Sequence, residues 1–235
     1  MILADTQTHM MPALALEMAR AAARGGMATL VISREMVSAA LARRMLSQEG
    51  RIRASSLKSG RIDDWNSVTV TARTLSGLPI WMSDSAVSIE QICNMIESTP
   101  QPIDFLVVDY LQLIRAPREI RERRLQVENV SQALKAIAVE RKIPVLCLSS
   151  LSRPAEGKDR APTLASLRES GELEHDADVV ILLHRERGAT DTQCVIGKNR
   201  DGETGSCRLI FRSEWVAFDE LATEEHEADW HDEGG

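Results

Sequence analysis

Apolar residues in this chain fall into two patterns. Short runs are nearly unbroken: residues 28–33 (ATLVIS), 103–114 (IDFLVVDYLQLI), 143–152 (IPVLCLSSLS) and 178–186 (DVVILLHRE). Unbroken runs of this length, rich in Val, Ile and Leu, read as buried strands. Between them the apolar positions recur at three- and four-residue spacing, which predicts helices over 34–50, 63–77, 88–98 and 119–142. Gly25 and Gly26 end an earlier helix, and Gly50 closes the next. Ser88 is placed to cap the third of the four, with Glu90 and Gln91 following in the first turn. A shorter strand is expected in 78–84, and strands in 192–200 and 205–212 read as a hairpin around DGETG. Strand alternating with helix, closed by antiparallel strands, predicts an α/β fold whose central sheet is mostly parallel, with a C-terminal antiparallel hairpin.

The first sixteen residues carry the pattern furthest. An apolar run leads into polar residues, and a helical pattern starts near Pro12. Strand, loop and helix in that order is the setting in which backbone N–H groups cradle phosphates. Yet the loop contains neither Gly nor Lys.

Composition narrows the class. The chain has 235 residues and is 43% hydrophobic but only 3% aromatic, which suits one sizeable core of helices on a sheet. No apolar run approaches the roughly 20 residues needed to cross a bilayer, and no basic region precedes an apolar stretch at the N-terminus. The expectation is a cytoplasmic protein with no membrane partner. Cys93, Cys147, Cys194 and Cys207 show no CxxC spacing and are expected as reduced core thiols. The net charge of −7 is unevenly spread: residues 219–235 hold eight acids and no Lys or Arg, and removing them leaves +1. That segment reads as an acidic disordered tail on a near-neutral body over residues 1–218.

Four groups of residues have the chemistry of a site. Asp109 ends an apolar strand, where the ligand crevice of a parallel sheet lies, and an acid there can hold magnesium. Glu35 follows strand 28–33 in the same way and could orient a water for attack on a phosphate, although a Glu in a first helical turn also suits the helix dipole. Arg168, Glu169 and Gly171 lie in a polar break between a helix and a strand, where Gly permits close approach of the backbone and Arg supplies charge. Lys198 and Arg200, two residues apart, are expected on one face of a strand near a hairpin tip, from which they could reach another molecule's phosphate or simply keep a strand edge solvated.

Taken in order, ISREM, VVDYLQLI, SQALKAIAVERKIPVLCLSSLSR, LRESGELEHDADVVILLHRE and IGKNRDGETGSCRLIF resemble the C-terminal motor domain of the DnaB-like replicative helicases. The resemblance covers about residues 1–218. It implies a RecA-like three-layer sandwich, assembly into a ring of six, and movement along single-stranded DNA driven by hydrolysis of a nucleoside triphosphate with magnesium. It assigns Asp109 to the magnesium site and Glu35 to activation of the attacking water. Lys198 and Arg200 match the pair that reaches the neighbouring subunit's nucleotide. Arg168, Glu169 and Gly171 match a loop on the DNA backbone, to which the segment after Ile114 would add Arg115 and Arg118.

The departures are equally specific. Where the family has a Gly-Lys-Thr phosphate loop, this chain has Met10, Met11 and Pro12. The Lys that meets the β- and γ-phosphates and the hydroxyl that holds magnesium are gone. Ser150 stands where the family has a Gln that senses the γ-phosphate. The match starts at the first core strand, so the N-terminal helicase domain and linker helix are expected to be absent. The expected function is a non-catalytic subunit, loader or regulator of a replicative helicase ring that binds single-stranded DNA, with partners among helicase subunits or copies of itself. Mg-ATP is implied by the family but not by these residues. The alternative is an active ATP-dependent helicase motor.

Overall fold

The computed structural model describes residues 1–5, 10–151, 162–167, 171–186 and 188–221. The expected acidic extension beyond 221, together with Arg168 and Glu169, lies outside them. The strands are β1 (Ile2–Asp5), β2 (Thr29–Ser33), β3 (Ile80–Ser83), β4 (Phe105–Asp109), β5 (Val145–Ser150), β6 (Val179–His184), β7 (Asp191–Asn199), β8 (Gly205–Arg212) and β9 (Ala217–Glu220). The helices are α1 (Met10–Arg24), α2 (Ser38–Gly50), α3 (Ala54–Ser59), α4 (Trp65–Ser76), α5 (Ile89–Ser98), α6 (Arg123–Arg141) and α7 (Gly171–Asp176).

All nine strands form one sheet in the order β3-β2-β4-β5-β1-β6-β7-β8-β9. The six from β3 to β6 are parallel, and β6 to β9 are joined by antiparallel pairings. Alternation along each central strand builds three layers. Leu30, Ile32, Leu106, Val108 and Leu182 face a core shared with Ile92 of α5 and Val130 and Leu134 of α6. Their neighbours Val31, Val107, Leu146, Leu148 and Leu183 face the opposite core, with Leu16 of α1 and Leu41 of α2. Burying each such side chain stabilises the fold by roughly 1.5–3 kcal/mol.

Local chemistry sets the element boundaries. The Ser88 hydroxyl accepts from the Gln91 N–H, which satisfies one orphan donor at the start of α5, and the Gln91 amide oxygen accepts from the Val87 N–H and so ties the entering chain to the first turn. Gly26, at φ 87°, takes the left-handed turn after α1. The 34–50 helix starts later than its periodicity suggests, because Arg34 to Val37 form a turn and the Asp84 carboxylate accepts the Ser38 N–H at 2.7 Å. The 119–142 helix likewise begins at Arg123. Three short elements, α3, α7 and β9, are additions to the expected order. The fold also passes the expected boundary at 218: Asp219 pairs with Ile210 in the sheet and bridges Arg51 and Arg212. It is a structural residue rather than part of a tail.

Candidate functional site

The carboxyl ends of the parallel strands bring together Asp5, Ser33, Asp109 and Ser150. Ser33 is the register partner of Asp109, and Asp5 that of Ser150. Asp109 is 3% exposed. Its Oδ2 accepts from the Ser33 hydroxyl at 2.7 Å, and Oδ1 is buried with no hydrogen-bond partner. Burial pushes this carboxyl up to about 6; the nearby Glu35 charge adds to the rise, while Ser33 and Arg44 oppose it. The Asp109–Tyr110 peptide is cis.

Glu35 lies in the turn after β2, exposed to solvent. That turn is fixed on both sides: the Arg34 N–H donates to the Asp109 carbonyl at 2.6 Å, and the Met36 N–H donates to the Ser33 hydroxyl at 3.0 Å. The two acids singled out by sequence are therefore held beside one another.

Arg44 was not singled out, yet it faces both. Its Nη1 is buried without a hydrogen-bond partner, and burial lowers its pKa against the opposing pull of Asp109 and Glu35. The signal was available: Arg44 lies three residues from Leu41 and four from Gln48, both buried on the inner stripe of α2, whereas Arg43 lies off it and is exposed. Gln112 was missed as well. It is buried just past β4 and donates to the Ser149 hydroxyl at 2.8 Å, bridging the ends of β4 and β5. Ser150 itself is exposed at the end of β5.

Met10, Met11 and Pro12 form the first turn of α1, all buried. Met10 is 0% and Met11 4% exposed, and both pack in the core with Leu183, Cys194 and Phe211. The Thr192 hydroxyl of β7 reaches the Met10 sulfur at 3.7 Å. At the start of α1 the Met10 and Met11 side chains turn inward to hydrocarbon. Among the described residues, no group of three or more His, Cys, Asp and Glu could hold a metal ion.

Lys198 and Arg200 lie at the other end of the sheet. Lys198 is the register partner of Val180, near the amino end of β6, roughly 13 Å along the strand from the carboxyl end. They do not share a strand face as expected, because β7 ends at Asn199 and Arg200 belongs to the turn. Lys198 donates to the carbonyls of Glu174 and His175, at 2.6 and 3.3 Å, and so caps the last turn of α7. Arg200 pairs loosely with Asp178 at 3.4 Å and keeps 68% of its side chain exposed. Gly171 opens α7. Arg115 and Arg118 are exposed on the segment after β4, where the Arg115 N–H donates to the Val87 carbonyl.

A parallel sheet flanked by helices on both faces, with acids at its carboxyl ends, defines the RecA-like class. A KaiC-like protein from Pyrococcus horikoshii OT3 shares the fold, with a TM-score of 0.61 at 17% identity over 92% of this chain and 86% of that one. The family is narrower: residues 1–220 match the DnaB-like helicase C terminal domain, and the chain belongs to that family. It is 34% identical over 224 residues to the replicative DNA helicase DnaB of Leifsonia xyli subsp. xyli (strain CTCB07), covering 89% of this chain and 49% of that protein. It is also 34% identical over 203 residues to the DnaB of Geobacillus stearothermophilus, covering 80% and 44%. The chain thus spans about half the length of the curated relatives it matches. Among solved structures, an isolated ATPase domain superposes with a TM-score of 0.86 at 28% identity, covering 94% of this chain and 84% of that one. A DnaB-like replicative helicase, solved in a study of its interactions with primase, gives 0.85 at 28% identity, covering 94% and 57%. Among the described residues no helix is long and apolar enough to cross a membrane.

Proposed function

We propose that this chain is a DnaB-type motor domain that does not turn over ATP itself and acts on a replicative helicase ring as a non-catalytic subunit, loader or regulator. The observation that carries this reading is the burial of Met10 and Met11, at 0% and 4% exposure, where the family's Gly-Lys-Thr loop meets phosphate. A triphosphate needs backbone N–H groups, a cation and a hydroxyl at that place. It would meet instead two thioethers packed in a core, and Pro12, which has no N–H to donate. The fit is better at the acid: the orphaned Oδ1 of Asp109 is placed to accept a cation or a water. The site thus keeps one acid of the metal side and lacks both the hydroxyl and the phosphate side, and Mg-ATP as a unit does not fit it.

The remaining roles rest on the family. Exposed Arg115 and Arg118, with Arg168, Glu169 and Gly171, would contact the backbone of single-stranded DNA. Lys198 and Arg200 would face a neighbour in a ring, whether another helicase subunit or a second copy. The alternative, an active motor, draws on the neighbouring Asp109 and Glu35.

ATP turnover in the presence of single-stranded DNA separates the two. The expected rate is at background. Losing one preorganised charge-stabilising group typically costs about a hundredfold or more, and two are missing here. DNA-stimulated turnover that Asp109→Asn abolishes would establish the active motor instead.

A further inference from the structure

Four cysteines were expected to be buried thiols, and two are: Cys147 and Cys194. Cys93 is half-buried, and Cys207 is exposed. Cys207 and Cys194 are direct partners across the β7–β8 ladder. Residues directly opposite in an antiparallel pair point to the same face with Cβ atoms about 4.5–5.5 Å apart. On that face Cys194 is 8% exposed and packs with Leu183 and Phe211, while Cys207 sits at its solvent edge. One sulfur therefore meets solvent, and the other waits directly behind it.

From this arrangement we propose that Cys207 and Cys194 form a redox modification site, a cross-strand dithiol that low-molecular-weight disulfides convert to a disulfide. Directly opposite residues have Cα atoms about 4.5–5.5 Å apart, inside the range of about 4.4–6.8 Å that a disulfide spans, so closure needs side-chain rotation and a small approach of the Cβ atoms rather than a change of register. Order follows from access. The Cys207 thiolate attacks one sulfur of glutathione disulfide and expels one glutathione thiolate. Cys194 then releases its proton to solvent and attacks the Cys207 sulfur, expelling the second glutathione. Two protein thiols are oxidised, and one glutathione disulfide is reduced to two glutathiones. Burial pushes the Cys194 thiol up to about 12, so it stays inert until the mixed disulfide is held beside it. The new bond closes a ring over residues 194–207, which contains Lys198 and Arg200 and the turn that carries them. The site does not depend on whether the chain turns over ATP.

The test treats the full chain with glutathione disulfide and counts thiols by alkylation after denaturation. Wild type should fall from four thiols to two, retain no glutathione, and yield a peptide linking Cys194 to Cys207. Cys194→Ser should retain one glutathione on Cys207. Cys207→Ser, a change at an exposed position, should lose no thiol and gain no adduct, which covers the case in which the Cys194 variant does not fold. A persistent adduct on wild type, a dimer through two Cys207 residues, oxidation of Cys194 in Cys207→Ser, or no reaction at Cys207 would each overturn the proposal.

Discussion

The Thr192 hydroxyl reaches the Met10 sulfur at 3.7 Å, and both residues are completely buried. This contact ties the first turn of α1 to β7, on the antiparallel side of the sheet. At a working phosphate loop the equivalent turn presents backbone to a ligand. Here it contributes side chains to a core. The consequence is energetic: Met10→Ala and Met11→Ala should each destabilise the fold by about 2–4 kcal/mol, the usual cost of truncating a buried Met. Urea unfolding checks this. A loss below about 0.5 kcal/mol for both would mean that the turn is not part of the core.

Asp109 makes stability depend on pH. Its folded-state value of about 6 lies above the ordinary 3.8, because burial disfavours the charge. Between those values the folded protein holds a proton that the unfolded chain has released. The contribution to stability is therefore fully present below about pH 4, is lost as pH rises through about 6, and is a constant penalty above that. Asp109→Asn removes the penalty while leaving an oxygen for the Ser33 hydroxyl. In chelator-containing buffer it should stabilise the protein by about 1–3 kcal/mol more at about pH 7.5 than at about pH 4. Unfolding curves at the two pH values decide the point; an equal effect at both would show that the carboxyl titrates normally.

The central sheet was legible in the sequence because strands covered on both faces leave continuous apolar runs, as in 105–109 and 145–150. What sequence missed was set by tertiary partners. β9 is four residues long, with half-buried Phe218 and Asp219 held by Phe211 and two arginines. Its acids looked like the start of a solvated tail. The start of α2 depends on Asp84, which is 46 residues away. The adjacency of Asp109 and Glu35 could be expected because strand ends can be read locally. Arg44 and Gln112 were not singled out, because their partners come from other elements. The spacing of Lys198 and Arg200 predicted a shared strand face that the end of β7 at Asn199 removes, and their separation from Asp109 along the sheet required the register of β6 and β7.

Exposed Arg115 and Arg118 yield a binding prediction. On single strands each phosphate contact contributes a slope of about −0.7 to the dependence of log affinity on log salt. If both side chains meet phosphate, Arg115→Ala and Arg118→Ala should each reduce that slope by about 0.7 and weaken binding to all sequences alike. Fluorescence anisotropy with an oligonucleotide, at several salt concentrations, measures both quantities. An unchanged slope in both variants would remove this segment from the DNA interface.

The distance between Lys198 and Asp109 sets the last prediction. Asp109 lies at the carboxyl end of β4, and Lys198 is paired near the amino end of β6, so the cationic pair cannot serve the same site as the acids. Under the proposed function this pair would instead serve a neighbour. Within the chain the structural worth of Arg200 is small. Arg200 holds Asp178 at 3.4 Å from a largely exposed position, and such pairs are worth about 0–1 kcal/mol. Arg200→Ala should therefore change unfolding stability by less than about 1 kcal/mol. Its effect on a partner should be larger, because an arginine supplied in trans can raise phosphoryl transfer by about a thousandfold or more. The measurement mixes this chain with a replicative helicase from the same cell and follows ATP hydrolysis and co-elution. Wild type should alter the helicase rate, and Arg200→Ala should alter it at least several-fold less while still co-eluting. Equal effects from both would assign any activity to docking alone. No effect from either, with no co-elution, would exclude a neighbour-facing role for this pair.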